Sequence, residues 1–512
     1  MYHCAGNATN KIDVFQAQLM GCKNTLAGRK VKASQYTILV DLADGKRALA
    51  YNTQTTAFAV LDEDEKLAYR ALETDGPSDC SGALDTLWAT GFLVPEDEDE
   101  VEHLKTEYWS QRDAENAISL TIAPTLGCNV ACHYCFQGLV KPNGKMSEKV
   151  QDEIVRYVRH RARSSQSLDV CWYGGEPLMD QKAIFRLSKA FHEVCQIHGL
   201  NYSASMVSNG YLLNKSTAER LLEVGVAMAQ ITIDGTETAH DINRPLTSGR
   251  GTYTRTIQNM KEVLAGTAFR IGVRCNVGIH NFDSMYALLD ELADEGFAEF
   301  SNFSMYFAQI EATTDACADA GEVMLGKKDF NSRLQDLEAR ARSYGLTGLD
   351  SPSRFMGLCV AASTHGLVVG PEGELHKCWE TLHDEAKQIG NIFEINKLDD
   401  DIRKKRWAAW DPFDNPTCRS CKIAPMCSGF CALKFLYPET MEGDSALPCP
   451  PWKFSAAEKI FAMAESAGAV TPNDWDPEQA TMKKMQAGPW QTHQSMELSR
   501  DIVNALVMPG GA

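Results

Sequence analysis

The chain has 512 residues, 44 % apolar and 23 % charged, a balance that suits about two to four globular domains with buried cores. Its 50 Lys and Arg face 68 Asp and Glu, a formal net charge of −18, so nucleic acid is set aside as a partner and a short neutral or basic peptide fits better. No run of 18 apolar residues offers a membrane span and Met1–Phe15 lacks a signal-like stretch, so no membrane association and a cytoplasmic, thiol-reducing location are expected.

In chain order, Tyr36–Leu42 and Arg47–Tyr51 read as strands joined at Asp44-Gly45, a hairpin turn signal. Helical patterns follow at Glu65–Leu72 and Gly82–Thr90, and the acidic run Pro95–Glu100 marks a boundary. Residues 1–112 are therefore expected to form a small α+β unit. Six buried-looking strands come next, at Ser119–Ala123, Asp169–Tyr173, Ser203–Val207, Gln230–Asp234, Ile271–Val277 and Phe303–Phe307. Helical patterns such as Ser147–Ala162, Gln181–Ile197, Ser216–Val224 and Thr252–Leu264 separate them. Strands alternating with helices predict an α/β fold, a partial (β/α)6 TIM-like barrel over 113–345, with reactive loops at the C-terminal strand ends. Residues 346–455 lose the alternation and become rich in Cys, Gly and Pro, as a loop-rich region organised by metal would. A helical pattern at Ser455–Ala467 and a polar tail make 456–512 a C-terminal extension.

The 17 cysteines are an odd number; in a reducing compartment they argue for metal or catalysis rather than disulfides. Cys4, Cys22, Cys80, Cys171, Cys195, Cys275 and Cys317 are scattered, and most read as small buried hydrophobes; the other ten form two groups. The first group, Cys128-x3-Cys132-x2-Cys135, directly follows the first barrel strand. Three thiolates can hold three irons of a four-iron cluster and leave one iron open. An open iron can bind the amino and carboxylate groups of S-adenosyl-L-methionine. An electron passed into the sulfonium then releases methionine and a 5′-deoxyadenosyl radical, which abstracts hydrogen. A zinc site is the alternative, but zinc wants a fourth ligand, and His133 inside the loop cannot easily join its neighbours on one metal.

This segment resembles the signature of the radical S-adenosylmethionine (SAM) family, and the resemblance extends over about 118–310. Trp172-Tyr173-Gly174-Gly175-Glu176-Pro177 looks like the family's glycine-glycine-glutamate-proline motif, which binds the cofactor's amino group. Glycines permit close backbone approach, and Glu176 offers negative charge to an ammonium. Ser208-Asn209-Gly210 follows the third strand, and Thr232-Ile233-Asp234-Gly235 resembles the ribose-contacting stretch. His240, Arg244 and Arg255 follow; one arginine here is similar to the residue that pairs with the cofactor's carboxylate, a bidentate task, with Arg255 favoured over Arg244. Tyr134 resembles the aromatic that packs near adenine.

The second group is Cys359, Cys378, Cys418-x2-Cys421-x5-Cys427-x3-Cys431 and Cys449. In this order the seven look like a SPASM domain, which carries two auxiliary 4Fe-4S clusters and brings the expected total to three. A zinc ribbon is the alternative for Cys418-x2-Cys421. The resemblance implies that Cys418, Cys421, Cys427 and Cys449 hold the outer cluster, and Cys359, Cys378 and Cys431 the inner one. The inner cluster's fourth ligand is His365, which stands where sulfatase-maturing relatives have a cysteine, or Cys317 or another residue, or the site is open. The open site is preferred, because its iron would bind a substrate thiolate. Those relatives also carry an aspartate base directly after the second auxiliary cysteine; here Trp379 and Glu380 follow Cys378, and Glu380 is the candidate base.

A strand hairpin ahead of such a barrel looks like the peptide-recognition domains of ribosomal-peptide maturases, which add a leader peptide to a sheet edge. The resemblance thus implies a peptide maturase of the radical SAM and SPASM type. It would form a thioether or carbon–carbon crosslink in a precursor peptide and draw electrons from a donor such as flavodoxin or ferredoxin. The alternatives are a sulfatase-type maturase making formylglycine and a non-catalytic iron–sulfur electron carrier or peptide scaffold.

Overall fold

A computed structural model describes residues 30–74, 78–79, 85–138, 141–314, 317, 323–348, 354, 359–438, 441 and 448–477. Cys4, Cys22, Cys80, the start of the Gly82–Thr90 pattern and the polar tail lie outside the described residues.

The chain opens with β1 (Lys30–Ala33), then β2 (Thr37–Asp41), β3 (Ala48–Asn52), β4 (Phe58–Leu61), α1 (Glu63–Thr74), β5 (Ser78–Asp79), α2 (Asp85–Ala89), β6 (Leu93–Pro95) and α3 (Glu100–Arg112). Strands β2–β3–β4 form an antiparallel meander, whose first turn is the predicted Asp44-Gly45, with Gly45 at φ 70°. Each face of the meander is apolar. Leu39, Ala50 and Leu61 pack on Tyr69, Leu72 and Phe92 of the N-terminal helices and their connections. Ile38, Val40 and Tyr51 pack on Ile423, Met426, Ile460 and Phe461 from the far end of the chain. The N-terminal region therefore shares a core with the C-terminal one.

The barrel strands are β7 (Ala117–Ile122), β8 (Ser167–Trp172), β9 (Asn201–Ser208), β10 (Val226–Thr232), β11 (Arg270–Val277) and β12 (Phe303–Gln309). All neighbours in this series are parallel and in sequence order. Their layer of helices is α4 (Glu148–Arg161), α5 (Gln181–His198), α6 (Lys215–Glu223), α7 (Glu237–Asn243), α8 (Tyr253–Gly266), α9 (Phe282–Asp294) and α10 (Lys327–Ser343). Local signals set the ends: the Ser147 side chain accepts from the Val150 amide to cap α4, and Gly199 at φ 71° ends α5. The six predicted strands are all present, within a few residues of their expected bounds.

The sheet does not stop at six strands. After the barrel come β13 (Leu367–Val369), β14 (Glu374–His376) and β15 (Gly390–Asn391). β13 lies parallel to β7, with Leu367 opposite Leu120, and β14 and β15 continue antiparallel to make nine strands. These strands are too short to show periodicity in the sequence. Beyond them, α11 (Ile402–Ala409) has its C-terminal carbonyls satisfied by a buried arginine at the end of α3. Arg112 donates to the carbonyls of Trp407 (2.9 Å), Ala408 (2.7 Å) and Trp410, with Trp109 stacked on its guanidinium at 4.3 Å. Among the described residues no helix is long and apolar enough to cross a membrane.

Candidate active site and cysteine centres

The loop leaving β7 is zipped to the segment after α7. Val130 bridges Leu246, the Ala131 amide donates to the Pro245 carbonyl (2.8 Å), and the Thr247 amide to the Asn129 carbonyl (2.9 Å). This brings Cys128, Cys132 and Cys135 together at the C-terminal mouth of the barrel. Burial, with the two neighbouring thiols adding to it, pushes the Cys132 thiol up to about 12, against the pull of Arg244. Such thiols ionise when a metal takes the proton's place. The Val130 amide donates to Cys128 Sγ (3.4 Å), Asn209 Nδ2 lies 3.8 Å from it, and Lys141 Nζ donates to Cys135 Sγ (2.7 Å).

The Gly-Gly-Glu-Pro segment holds that loop. The Gly175 amide donates to the Thr125 carbonyl (3.1 Å) and the Glu176 amide to the Gly127 carbonyl (2.8 Å). Gly174 sits at φ 117°; a Cβ there would overlap the Thr125 carbonyl oxygen, and one at Gly175 would overlap that of Gly127. The glycines are thus needed for close approach to the cysteine loop itself. Glu176, expected to offer negative charge to an ammonium, is held by protein donors. Its fully buried carboxylate accepts from the Leu178 amide (3.0 Å), the Asn209 amide (2.7 Å) and the Ser208 hydroxyl (3.0 and 3.1 Å). Glu176 clamps the end of β9 to that of β8, and Pro177 starts the short turn Pro177–Asp180 behind it.

On the other side of the triad, Tyr134 is pinned from three directions. Its hydroxyl is hydrogen-bonded to Asp234 Oδ2 and receives bonds from Arg244 Nη1 (2.8 Å) and Asn276 Nδ2 (3.1 Å). Arg244 lies 4.0 Å from Asp234, both buried. Burial raises the Asp234 carboxyl, with Arg244 and Tyr134 opposing it. The Asp234 amide donates to His240 Nδ1 (3.2 Å), and His240 Nε2 is 3.0 Å from Thr252 Oγ1. Thr232 is buried at the end of β10. Of the two arginines, the structure places Arg244 beside the triad; Arg255, favoured from sequence, is exposed on α8 with its guanidinium 4.4 Å over the Tyr211 ring. Sequence reading missed Asn276 and Lys141. Asn276 had a weak signal, an amide near the C-terminal end of β11, where the barrel loops gather; Lys141 had none.

Comparison with known proteins decides what this mouth is. The model of the radical SAM superfamily matches residues 122–308. That stretch is a radical SAM domain. The chain is an enzyme by the same match and by its curated relatives. It is 23 % identical over 328 residues to the serine-type anaerobic sulfatase-maturating enzyme of Klebsiella aerogenes, covering 59 % of this chain and 76 % of that one. It is 22 % identical over 356 residues to the cysteine-type enzyme of Clostridium perfringens, covering 61 % and 88 %. Native anSMEcpe, solved with bound AdoMet and Cp18Cys peptide, shares the fold at TM-score 0.51 and 19 % identity, covering 69 % of this chain and 97 % of that one. A radical SAM domain implies S-adenosyl-L-methionine and one 4Fe-4S cluster, and the three clustered thiols of the loop suit that cluster.

The seven C-terminal cysteines lie beyond the radical SAM domain in two sets. Cys418, Cys421, Cys427 and Cys449 line one small cavity closed by Phe413, Ile423 and Phe435, with Lys453 Nζ 3.7 Å from Cys449 Sγ. Four thiols around one apolar void suit a cluster ligated wholly by cysteine. Cys359, Cys378 and Cys431 form the other set: burial first, then the Glu380 carboxylate and the thiols of Cys359 and Cys431, push the Cys378 thiol well above its usual range. Cys427 and Cys431 serve different sets because Ser428, Gly429 and Phe430 between them all have positive φ, at 45°, 85° and 52°. His365 is turned elsewhere, with Nδ1 3.3 Å from Arg161 and Nε2 3.9 Å from Glu115. Cys317 packs with Ile310 beside Tyr134 and Phe136, its thiol donating to the Thr314 carbonyl (3.3 Å), on the side of the first loop. Neither joins the Cys359, Cys378 and Cys431 set.

Two rings tie the centres together. Tyr173, just before the glycines, stacks on Trp379 with centroids 4.7 Å apart and planes at 12°, and lies 6.4 Å from Phe136, the neighbour of Cys135. Glu380 follows in the turn Trp379–Thr381 capped by Cys378. Behind it, Glu311 is paired with Lys434 (2.7 Å) and Lys327 (3.4 Å), which outweigh burial and hold its carboxyl down at about 2.

Proposed function

We propose that this radical SAM enzyme modifies a ribosomally made precursor peptide, forming a thioether or carbon–carbon crosslink at an unactivated carbon. The first three thiols would hold the cluster that binds S-adenosyl-L-methionine, and the two C-terminal sets would hold two auxiliary 4Fe-4S clusters. When bound, the first cluster and its cofactor supply the carbon radical that removes hydrogen from the peptide. The chain's own groups position it: Arg244 gives a fixed cation beside the triad, Tyr134 an aromatic surface held by Asp234 and Asn276, and Glu176 keeps the Gly174–Gly175 turn against the loop. A flavodoxin or ferredoxin would deliver the electron.

The observation that carries the crosslinking reading is Trp379. Sulfatase-maturing relatives have an aspartate base directly after the second auxiliary cysteine; here that place holds an indole stacked on Tyr173, which accepts no proton. The curated relatives named as sulfatase-maturating enzymes support formylglycine formation as the second reading, with Glu380 as its base. Mass spectrometry of the peptide product separates them. A crosslink removes two hydrogens without breaking the chain, formylglycine gives an aldehyde that hydrazide reagents capture, and a scaffold leaves the peptide unchanged. Iron and sulfide content after anaerobic purification tests the cluster count, with roughly 12 irons per chain expected.

The peptide's leader would be read by the N-terminal meander. Among the described residues β4 pairs only with β3, so its outer edge can accept another strand. Removing residues 1–110 would strip the cover from Ile460 and Phe461, so a proline at Val60 is the cleaner test. It should weaken leader binding and leave cofactor cleavage intact; unchanged binding refutes the role.

A further inference from the structure

Among the described residues the inner set of thiols is one ligand short. Three cysteines, Cys359, Cys378 and Cys431, face it, and the two residues the sequence offered to complete it are engaged elsewhere: His365 by Arg161 and Glu115, Cys317 by Thr314. One group does point there with an unused atom. Glu380 follows Cys378 by two residues in a tight turn, and its charge acts on the Cys378 and Cys431 thiols. Its carboxylate takes a hydrogen bond from Thr313, yet Oε2 is shut off from solvent and has no hydrogen-bond partner among the described residues. A carboxylate oxygen left bare in a protein interior is costly. A cation beside it would relieve that cost, and Lys434, the buried ammonium whose charge acts on it, is already paired with Glu311 at 2.7 Å.

We propose that Glu380, through Oε2, is the fourth protein ligand of the inner auxiliary cluster, giving it three thiolates and one carboxylate. The inference rests on the reading that this set holds a cluster. It replaces both the open site and the role of Glu380 as a base. The exchange is one of ligands alone: the carboxyl releases its proton to solvent, an oxygen lone pair enters the iron, and no electron moves. Carboxylate is a harder donor than thiolate and binds a cluster iron less firmly, so this corner is the one a thiol from a peptide would displace.

The test uses the full chain, anaerobically reconstituted, with Cys128, Cys132 and Cys135 changed to Ala to silence the first cluster. Protein grown with glutamate labelled with carbon-13 at the side-chain carboxyl is reduced, and electron–nuclear double resonance is recorded on the inner-cluster signal. The expected result is a carbon-13 coupling that vanishes in Glu380→Gln while the outer-cluster signal stays unchanged. Glu380→Cys should keep the iron count and shift the inner signal toward an all-thiolate type. An inner cluster that is present but shows no carbon-13 coupling, or that is indifferent to Glu380→Gln, overturns this proposal alone. Absence of an inner cluster from the unsubstituted protein, seen as iron content near that of two clusters, overturns it together with the three-cluster reading.

Discussion

The three thiols of the barrel loop come from one short stretch, Cys128–Cys135, and that stretch is held by backbone: the strand-like contacts to Pro245–Thr247 and the glycine turn at Gly174–Gly175. The seven thiols of the C-terminal region come from points as far apart as Cys359 and Cys449, and side chains hold them: Arg112 on α11, Lys327 donating to the Cys449 carbonyl at 3.0 Å, and the pair Lys434–Glu311. A local centre keeps its shape if the barrel folds. A centre gathered from distant points depends on its metal to hold it together.

The largest test of that difference removes thiols. Replacing Cys128, Cys132 and Cys135 by Ala should abolish cofactor cleavage, lower iron by about a third and leave the melting temperature nearly unchanged. Cys418→Ala should lose iron and also several degrees of melting temperature. If both sets cost equal stability, the contrast fails. Next, Gly174→Ala strikes the backbone support of the loop; with a positive φ and the Thr125 carbonyl in the way, about 4 kcal/mol is expected in chemical denaturation. Arg112→Met attacks the side-chain support of the other region and should cost about 3 kcal/mol by orphaning carbonyls of α11. The arginine pair gives a smaller effect, read by equilibrium binding of the cofactor: Arg244→Lys should weaken it about tenfold or more, whereas Arg255→Ala should leave it within error.

The smallest expected effect is in pH. Burial, reinforced by Arg244, holds the His240 imidazole well below its ordinary range, so the folded chain keeps it neutral while the unfolded chain takes up a proton below about pH 6.5. The unfolded state then binds more protons, and stability falls as pH is lowered from there toward the folded value. His240→Gln should flatten that part of a denaturation profile between pH 7 and pH 5, and an unchanged slope would assign it to other groups.

Much of this was legible in the sequence for physical reasons. The six strands were readable from their regular alternation with helical patterns, and Cys128–Cys135 and Gly174–Pro177 because loop chemistry at short spacing needs few residue types. The hydrogen bonds of Glu176 were not legible, because a carboxylate in a loop looks the same on paper whether or not it faces the amides of Leu178 and Asn209. Arg244 and Arg255 were inseparable by spacing; only tertiary contact sets one beside Tyr134 and the other over Tyr211. Strands β13–β15 were hidden by their brevity, and the burial of both meander faces by its dependence on residues near 460.

The pairing of β13 with β7 has a consequence for how the chain is made. Leu120 emerges early in synthesis, but its partner, Leu367, comes only after the whole barrel has been translated. Until then β7 is an uncovered edge with apolar residues and free backbone groups, the arrangement most open to pairing with another chain. A contact so remote in sequence also closes slowly. The cysteine loop grows directly from that edge, so a nascent chain stalled before Leu367 carries its most oxygen-sensitive residues on its least protected strand.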